Sequence, residues 1–138
     1  MPAGLGAGAA GSESGQSGSV SSTPGKLSFE ADIYGPVIRA RCSACHSDAP
    51  SFGGLAFFPG AMTAYTNLVG VPAGSAQGNL CRDSGLLRVQ PGDPERSLLY
   101  LKLTKPSCGS QMPPAMFGQV TAAQVSLVRQ WIADGAAP

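Results

Sequence analysis

Cys42-Ser43-Ala44-Cys45-His46 decides how this chain is expected to fold: two cysteines two residues apart, followed at once by histidine. That spacing is the attachment signature of c-type haem. At a helix end, the two thiols can add to the two vinyl groups of the macrocycle while the neighbouring imidazole swings beneath the ring and binds iron. His46 is then the proximal ligand, and it is the only histidine in the chain. The motif predicts Cys42, Cys45 and His46 as the residues that hold one covalent haem c.

Two other chemistries use similar spacing. A thioredoxin-like redox pair sits on a βαβ frame, and no alternation of strands and helices is visible around Cys42. A zinc-binding structural module takes a second closely spaced ligand pair, whereas Cys81 and Cys108 lie far apart.

Outward from the motif, proline is best tolerated in a first helical turn, so the helix that delivers the cysteines is expected over 36–44. Ahead of it, Ser28 can cap a turn carrying Glu30 and Asp32, with Gly35-Pro36 as an interruption. After the motif, 47–60 is a Pro- and Gly-rich loop whose Leu55, Phe57 and Phe58 suit core plugs, and 61–68 suits a short helix with Tyr65 and Leu68 on one side. Residues 70–85 form a second loop, holding Cys81. Asp93 as cap and Pro94 in the first position predict a helix reaching Leu103, with its leucines inward and Pro106 beyond its end. Residues 105–120 carry too many prolines and glycines for a long helix. Thr121 and Gln124 form a capping box for a last helix whose Val125, Val128 and Ile132 make a stripe, with Leu127 and Trp131 beside it and Gly135 at its end. No strand-like alternation of any length is present, so the fold class is all-α with long loops.

The 138 residues suit one domain. Residues 1–27 are dominated by Gly, Ser and Ala and offer no periodic apolar face, so they are expected to be a disordered tether. Residues 28–138 would form the haem domain. With 19 glycines, 12 prolines and a single tryptophan in the chain, a haem at the centre would supply core that the side chains do not. Nine basic residues against eight acidic ones leave a net charge of +1, which suggests neither a nucleic acid nor a membrane surface as partner. The start shows no signal peptide and no stretch is apolar enough to span a bilayer. Because c-type haem is attached outside the cytoplasmic membrane, the expected location is periplasmic or otherwise extracytoplasmic, with the export signal missing from this chain. A Gly/Ser tether would also suit a lipoprotein, so any membrane contact is expected only through an N-terminal lipid anchor, for which the chain retains no cysteine.

The chain resembles small monohaem c-type cytochromes of the class I type, particularly planctomycete-type cytochrome c domains. The resemblance is carried by Pro36-Val37-Ile38 running into the haem motif, Gly53-Gly54-Leu55, Pro91-Gly92-Asp93-Pro94 with Ser97 and Leu98, Cys108-Gly109-Ser110-Gln111-Met112-Pro113-Pro114, and Trp131-Ile132-Ala133-Asp134-Gly135-Ala136. It covers nearly all of 28–138. It implies a few short helices around one haem, with Val37 and Ile38 on the N-terminal helix meeting Val128, Trp131 and Ile132 on the last one.

The resemblance also puts the distal iron ligand at Met112, in a loop stiffened by Pro113 and Pro114, with Met116 and Met62 as rivals. Iron held by His46 and Met112 has no open position for substrate, so the expected role is one-electron transfer by a carrier, not an enzyme. A gas-sensing or peroxidase-like domain, with a vacated distal site, is the alternative. Redox partner proteins would dock on a modest apolar surface, for which Ala44, Phe58, Pro59, Ala115, Met116 and Phe117 are candidates and Lys102 and Arg88 the charged comparison. The chain is expected to act as a monomer. With Cys42 and Cys45 taken by haem, Cys81 and Cys108 remain, and in an oxidising compartment they are expected to form a disulfide that anchors the Met112 loop. The alternative is two buried thiols acting as small apolar residues.

Overall fold

The computed structural model describes residues 26–47, 54–74 and 79–138. The tether expected over 1–27 falls outside the described residues up to residue 25, as does part of the 47–60 loop at 48–53. Among the described residues the secondary structure is helical, with three isolated bridges and no strand. The fold class is all-α.

The first helix, Phe29–Arg39, is π-wound and passes into an α-turn at Ala40 and Arg41. The Ser28 hydroxyl accepts from the Ala31 N–H at 3.2 Å, and Asp32 Oδ2 accepts from the Ser28 N–H at 2.8 Å, so both ends of the expected cap are made. Gly35-Pro36 does not interrupt the helix, contrary to expectation. Proline lacks an N–H and its ring crowds the carbonyl four residues back, and the wider π-turn relieves that crowding without ending the helix. Phe29, Ile33, Val37 and Ile38 are consequently carried on one continuous element and all are buried.

The second helix, Ala61–Leu68, ends where Val69 turns to extended backbone. There the chain meets a segment that the sequence did not signal. Residues 86–89 run extended between two helices: Val89 N–H donates to Leu68 O at 3.1 Å and Arg88 N–H to Val71 O at 2.7 Å on one side, while Leu98 and Leu99 N–H donate to Leu87 O and Arg88 O at 3.0 and 2.9 Å on the other.

The helix expected from Asp93 to Leu103 is broken. Pro94–Arg96 is a single 3₁₀ turn in which the Asp93 side chain makes no cap bond, and the α-helix proper is Leu98–Leu103. Ser97 causes the break. Its fully buried hydroxyl accepts from Gln90 N–H at 2.8 Å and donates to Asp93 O at 2.9 Å, giving the backbone partners that a continuous helix would not.

A second 3₁₀ turn, Ala115–Phe117, precedes the last helix, Ala122–Ala133. Thr121 and Gln124 make both bonds of the capping box, at 3.1 and 2.8 Å. The first and last helices pack together through one core in which Val37 and Ile38 join Val128, Trp131 and Ile132. The Phe29 ring lies 5.1 Å from that of Trp131 and 5.5 Å from that of Tyr65. Trp131 Nε1–H donates to Ala137 O at 2.7 Å and Tyr65 O–H to Ala136 O at 2.8 Å, which fastens the C-terminal tail over the core. The Pro91-Gly92 turn is tied to the same helix, with Gly92 N–H donating to Ile132 O at 2.8 Å and Gly92 at a φ of 86° that suits glycine.

Candidate functional site

The motif residues follow directly from the first helix. Cys42 N–H donates to Ile38 O at 2.9 Å, and the chain then tightens so that Cys45 and His46 N–H both donate to Cys42 O, at 3.3 and 3.1 Å. Ser43 is buried and its hydroxyl donates to Ile38 O at 3.4 Å. The motif is thus a turn that follows a helix end: the helix expected to reach Ala44 stops at Arg41, and 42–45 are turn.

His46 is held from the far side by Phe57. The Phe57 N–H donates to His46 O at 3.1 Å and to Ser47 O at 3.0 Å, and its ring sits 5.5 Å from the imidazole. Tyr34 O–H donates to Phe57 O at 3.2 Å, which links this contact to the first helix.

Cys42, His46 and Met112 line one cavity of about 290 Å³. This is close to the lower end of the range for small-molecule sites, roughly 300–1,000 Å³. Leu55, Phe57 and Leu68 form part of its wall and Leu98, Leu99 and Leu103 another part, so the surface is mainly apolar. Among the described residues its charged lining residues are Arg88 and Lys102, with no carboxylate. Cys45, half-buried on the same turn as Cys42, is not part of the lining.

Burial, with a smaller contribution from Cys45, pushes the Cys42 thiol up to about 12. A thiol so disposed is protonated at neutral pH.

Of the three candidate methionines, Met112 alone reaches the cavity; Met62 and Met116 are 64% and 83% exposed. Cys81 and Cys108 lie at disulfide distance, with sulfurs 2.06 Å apart and Cα atoms 5.2 Å apart. Cys81 is buried on the cavity wall and Cys108 lies a few residues before Met112.

Arg88 and Lys102, the charged comparison for the docking surface, both line the cavity. Arg88 is 8% exposed; its guanidinium donates to Asn67 O at 2.8 Å and Gly54 O at 3.5 Å, and burial lowers its pKa. Lys102 is half-buried, and burial lowers its pKa too. The available signal was slight: Arg88 stands between Leu87 and Val89, and Lys102 between Leu101 and Leu103, each a lone cation in an apolar run. Among the apolar docking candidates, Met116 and Phe117 are exposed, as are Ala44, Pro59 and Ala115, while Phe58 is half-buried.

Among the described residues, no group of three or more His, Cys, Asp and Glu side chains gathers as a metal site, and no helix is long and apolar enough to cross a membrane. A scan against protein-family models, a search of curated proteins and a search of solved structures each return no match to this chain.

Proposed function

We propose that this chain carries single electrons on one covalently attached c-type haem, within a small class I cytochrome c-like fold. The observation that carries this reading is the meeting of Cys42, His46 and Met112 on one apolar cavity, although Met112 is remote from the motif in sequence. The donor set suits the group: two thiols at the attachment spacing, one imidazole nitrogen and one thioether sulphur. Cys42 and Cys45 would hold the macrocycle through thioether bonds, and His46 and Met112 would bind its iron. Arg88 and Lys102 provide the cavity with positive charge complementary to the carboxylates of the macrocycle. When bound, such a group supplies reversible one-electron chemistry, and ligation by both His and Met raises its potential.

The chain's own residues set the conditions. Phe57 orients His46 through its N–H bond and ring, and the leucines give the site an apolar wall. Low dielectric there discourages the more highly charged oxidised state. With both axial positions filled by protein, no site remains for a substrate, so the role is that of a carrier. Redox proteins outside the cytoplasm are its expected partners, and a disulfide between Cys81 and Cys108 is compatible with that location.

The test is expression in an exporting host with cytochrome c maturation machinery. The purified protein should be red, should keep its haem through denaturation and acid extraction, and should bind carbon monoxide slowly and incompletely when reduced at neutral pH. Colourless protein, or haem that extracts freely, overturns the haem reading. Rapid and complete carbon monoxide binding overturns the carrier reading in favour of a sensor or peroxidase-like domain.

A further inference from the structure

Lys102 meets the Met112 loop in two places. Its main-chain carbonyl accepts from the Met112 N–H at 2.8 Å, and its ammonium donates to Cys108 O at 2.7 Å and Ser110 O at 3.0 Å. The loop curls closely over the ammonium between these carbonyls: a Cβ on Gly109 would lie 2.5 Å from Lys102 Nζ, and Gly109 has a φ of 67°. Among the described residues the ammonium pairs with no carboxylate, the ion pairs there being Arg82–Asp83 and Arg129–Glu95. A half-buried ammonium on an apolar cavity is costly unless its donors find partners. Here its charge-assisted bonds go to carbonyls on the approach to Met112, and such bonds are roughly twice as strong as neutral ones.

We propose that Lys102 is the positioning residue for Met112: its ammonium gathers the carbonyls of Cys108 and Ser110 while its own carbonyl takes the Met112 N–H, so that the thioether is presented to the cavity at a fixed depth. Other restraints act on the same loop. Gln111 Nε2 donates to Leu103 O at 3.3 Å, Gln119 Nε2 to Pro113 O at 3.2 Å, and the Cys81–Cys108 link grips the loop only at its start. The proposal rests on the reading of Met112 as an iron ligand.

The test compares haem-loaded protein with its Lys102→Met and Lys102→Arg variants. Lys102→Met keeps the apolar stem and removes the ammonium, whereas Lys102→Arg keeps charge and donors. Circular dichroism and retention of covalent haem establish that each is folded. In Lys102→Met the red sulphur-to-iron band should be largely lost, the reduction potential should fall, and the carbon monoxide-bound fraction at a limiting dose should rise at least tenfold. Amide exchange at Met112 should quicken, and Lys102→Arg should restore most of the band. A folded Lys102→Met protein with band, potential and exchange unchanged overturns the proposal while leaving the haem reading intact. Equal losses in both variants overturn it as well, since they assign the effect to the fit of the stem. Wild-type protein that holds covalent haem but shows no sulphur-to-iron band removes Met112 as ligand and the proposal with it, whereas wild-type protein without haem overturns the earlier reading of function.

Discussion

Phe57 grips His46 at two points, donating its main-chain N–H to the His46 carbonyl at 3.1 Å and placing its ring 5.5 Å from the imidazole at a tilt of 58°. Phe57 is 2% exposed, so the contact belongs to the core as well as to the site. Phe57→Ala should lower stability by roughly 3–5 kcal/mol and should loosen His46, seen as a growing high-spin fraction in haem-loaded protein. Phe57→Leu should cost much less. Denaturant unfolding of both variants measures the first effect, and a Phe57→Ala protein with wild-type stability and spectrum would contradict the contact.

The methionines separate cleanly by burial. Met112→Ala should abolish the sulphur-to-iron band of haem-loaded protein and open it to carbon monoxide. Met62→Ala and Met116→Ala, at positions 64% and 83% exposed, should keep the band and change stability by less than about 0.5 kcal/mol. Loss of the band in Met116→Ala alone would transfer the ligand role to that residue.

Cys81 and Cys108 are separated by 27 positions. A crosslink closing a loop of this length stabilises the folded state by about 3–4 kcal/mol in the chain-entropy model. The double variant Cys81→Ala, Cys108→Ala should lose about that much. Since the link anchors the start of the Met112 loop, the variant should also have a lower potential and bind carbon monoxide more readily. Haem-loaded protein denatured without reductant should take up no alkylating reagent, and after reduction it should take up reagent at Cys81 and Cys108 only. Unchanged potential and carbon monoxide resistance would show that the link does not support the loop.

In the haem-free protein the buried Cys42 thiol makes stability depend on pH. Its value in the folded state, about 12, is above that of an unfolded thiol, roughly 8.5. The unfolded chain therefore gives up this proton first as pH rises. The contribution of Cys42 is complete below the unfolded value and is lost progressively as pH climbs toward 12. A haem-free Cys45→Ala variant, in which burial remains as the larger cause of the shift, should alkylate at Cys42 at least tenfold more slowly at pH 8 than the same chain in urea. Its thermal midpoint should begin to fall above about pH 8.5. Alkylation as fast as in urea would show that Cys42 is not protected.

The features legible in the sequence are those whose partners lie within one helical turn. Ser28 and Ala31, Thr121 and Gln124, and Cys42 and His46 all meet as their spacing predicts, because backbone geometry brings residues three or four apart together whatever surrounds them. Beyond that range two local signals were overruled. Pro36 does not end the first helix, because burying Phe29, Ile33, Val37 and Ile38 together outweighs the cost of a wider turn. Asp93 does not cap a long helix, because the buried Ser97 hydroxyl takes Gln90 N–H and Asp93 O instead. Spacing alone thus determined the motif, the helical class and the caps at Ser28 and Thr121, and elimination left Cys81 to face Cys108. Which methionine reaches the cavity, and that Arg88 and Lys102 line it, was decided by tertiary structure, since these depend on how the 86–89 segment and the Met112 loop close over residues distant in the chain.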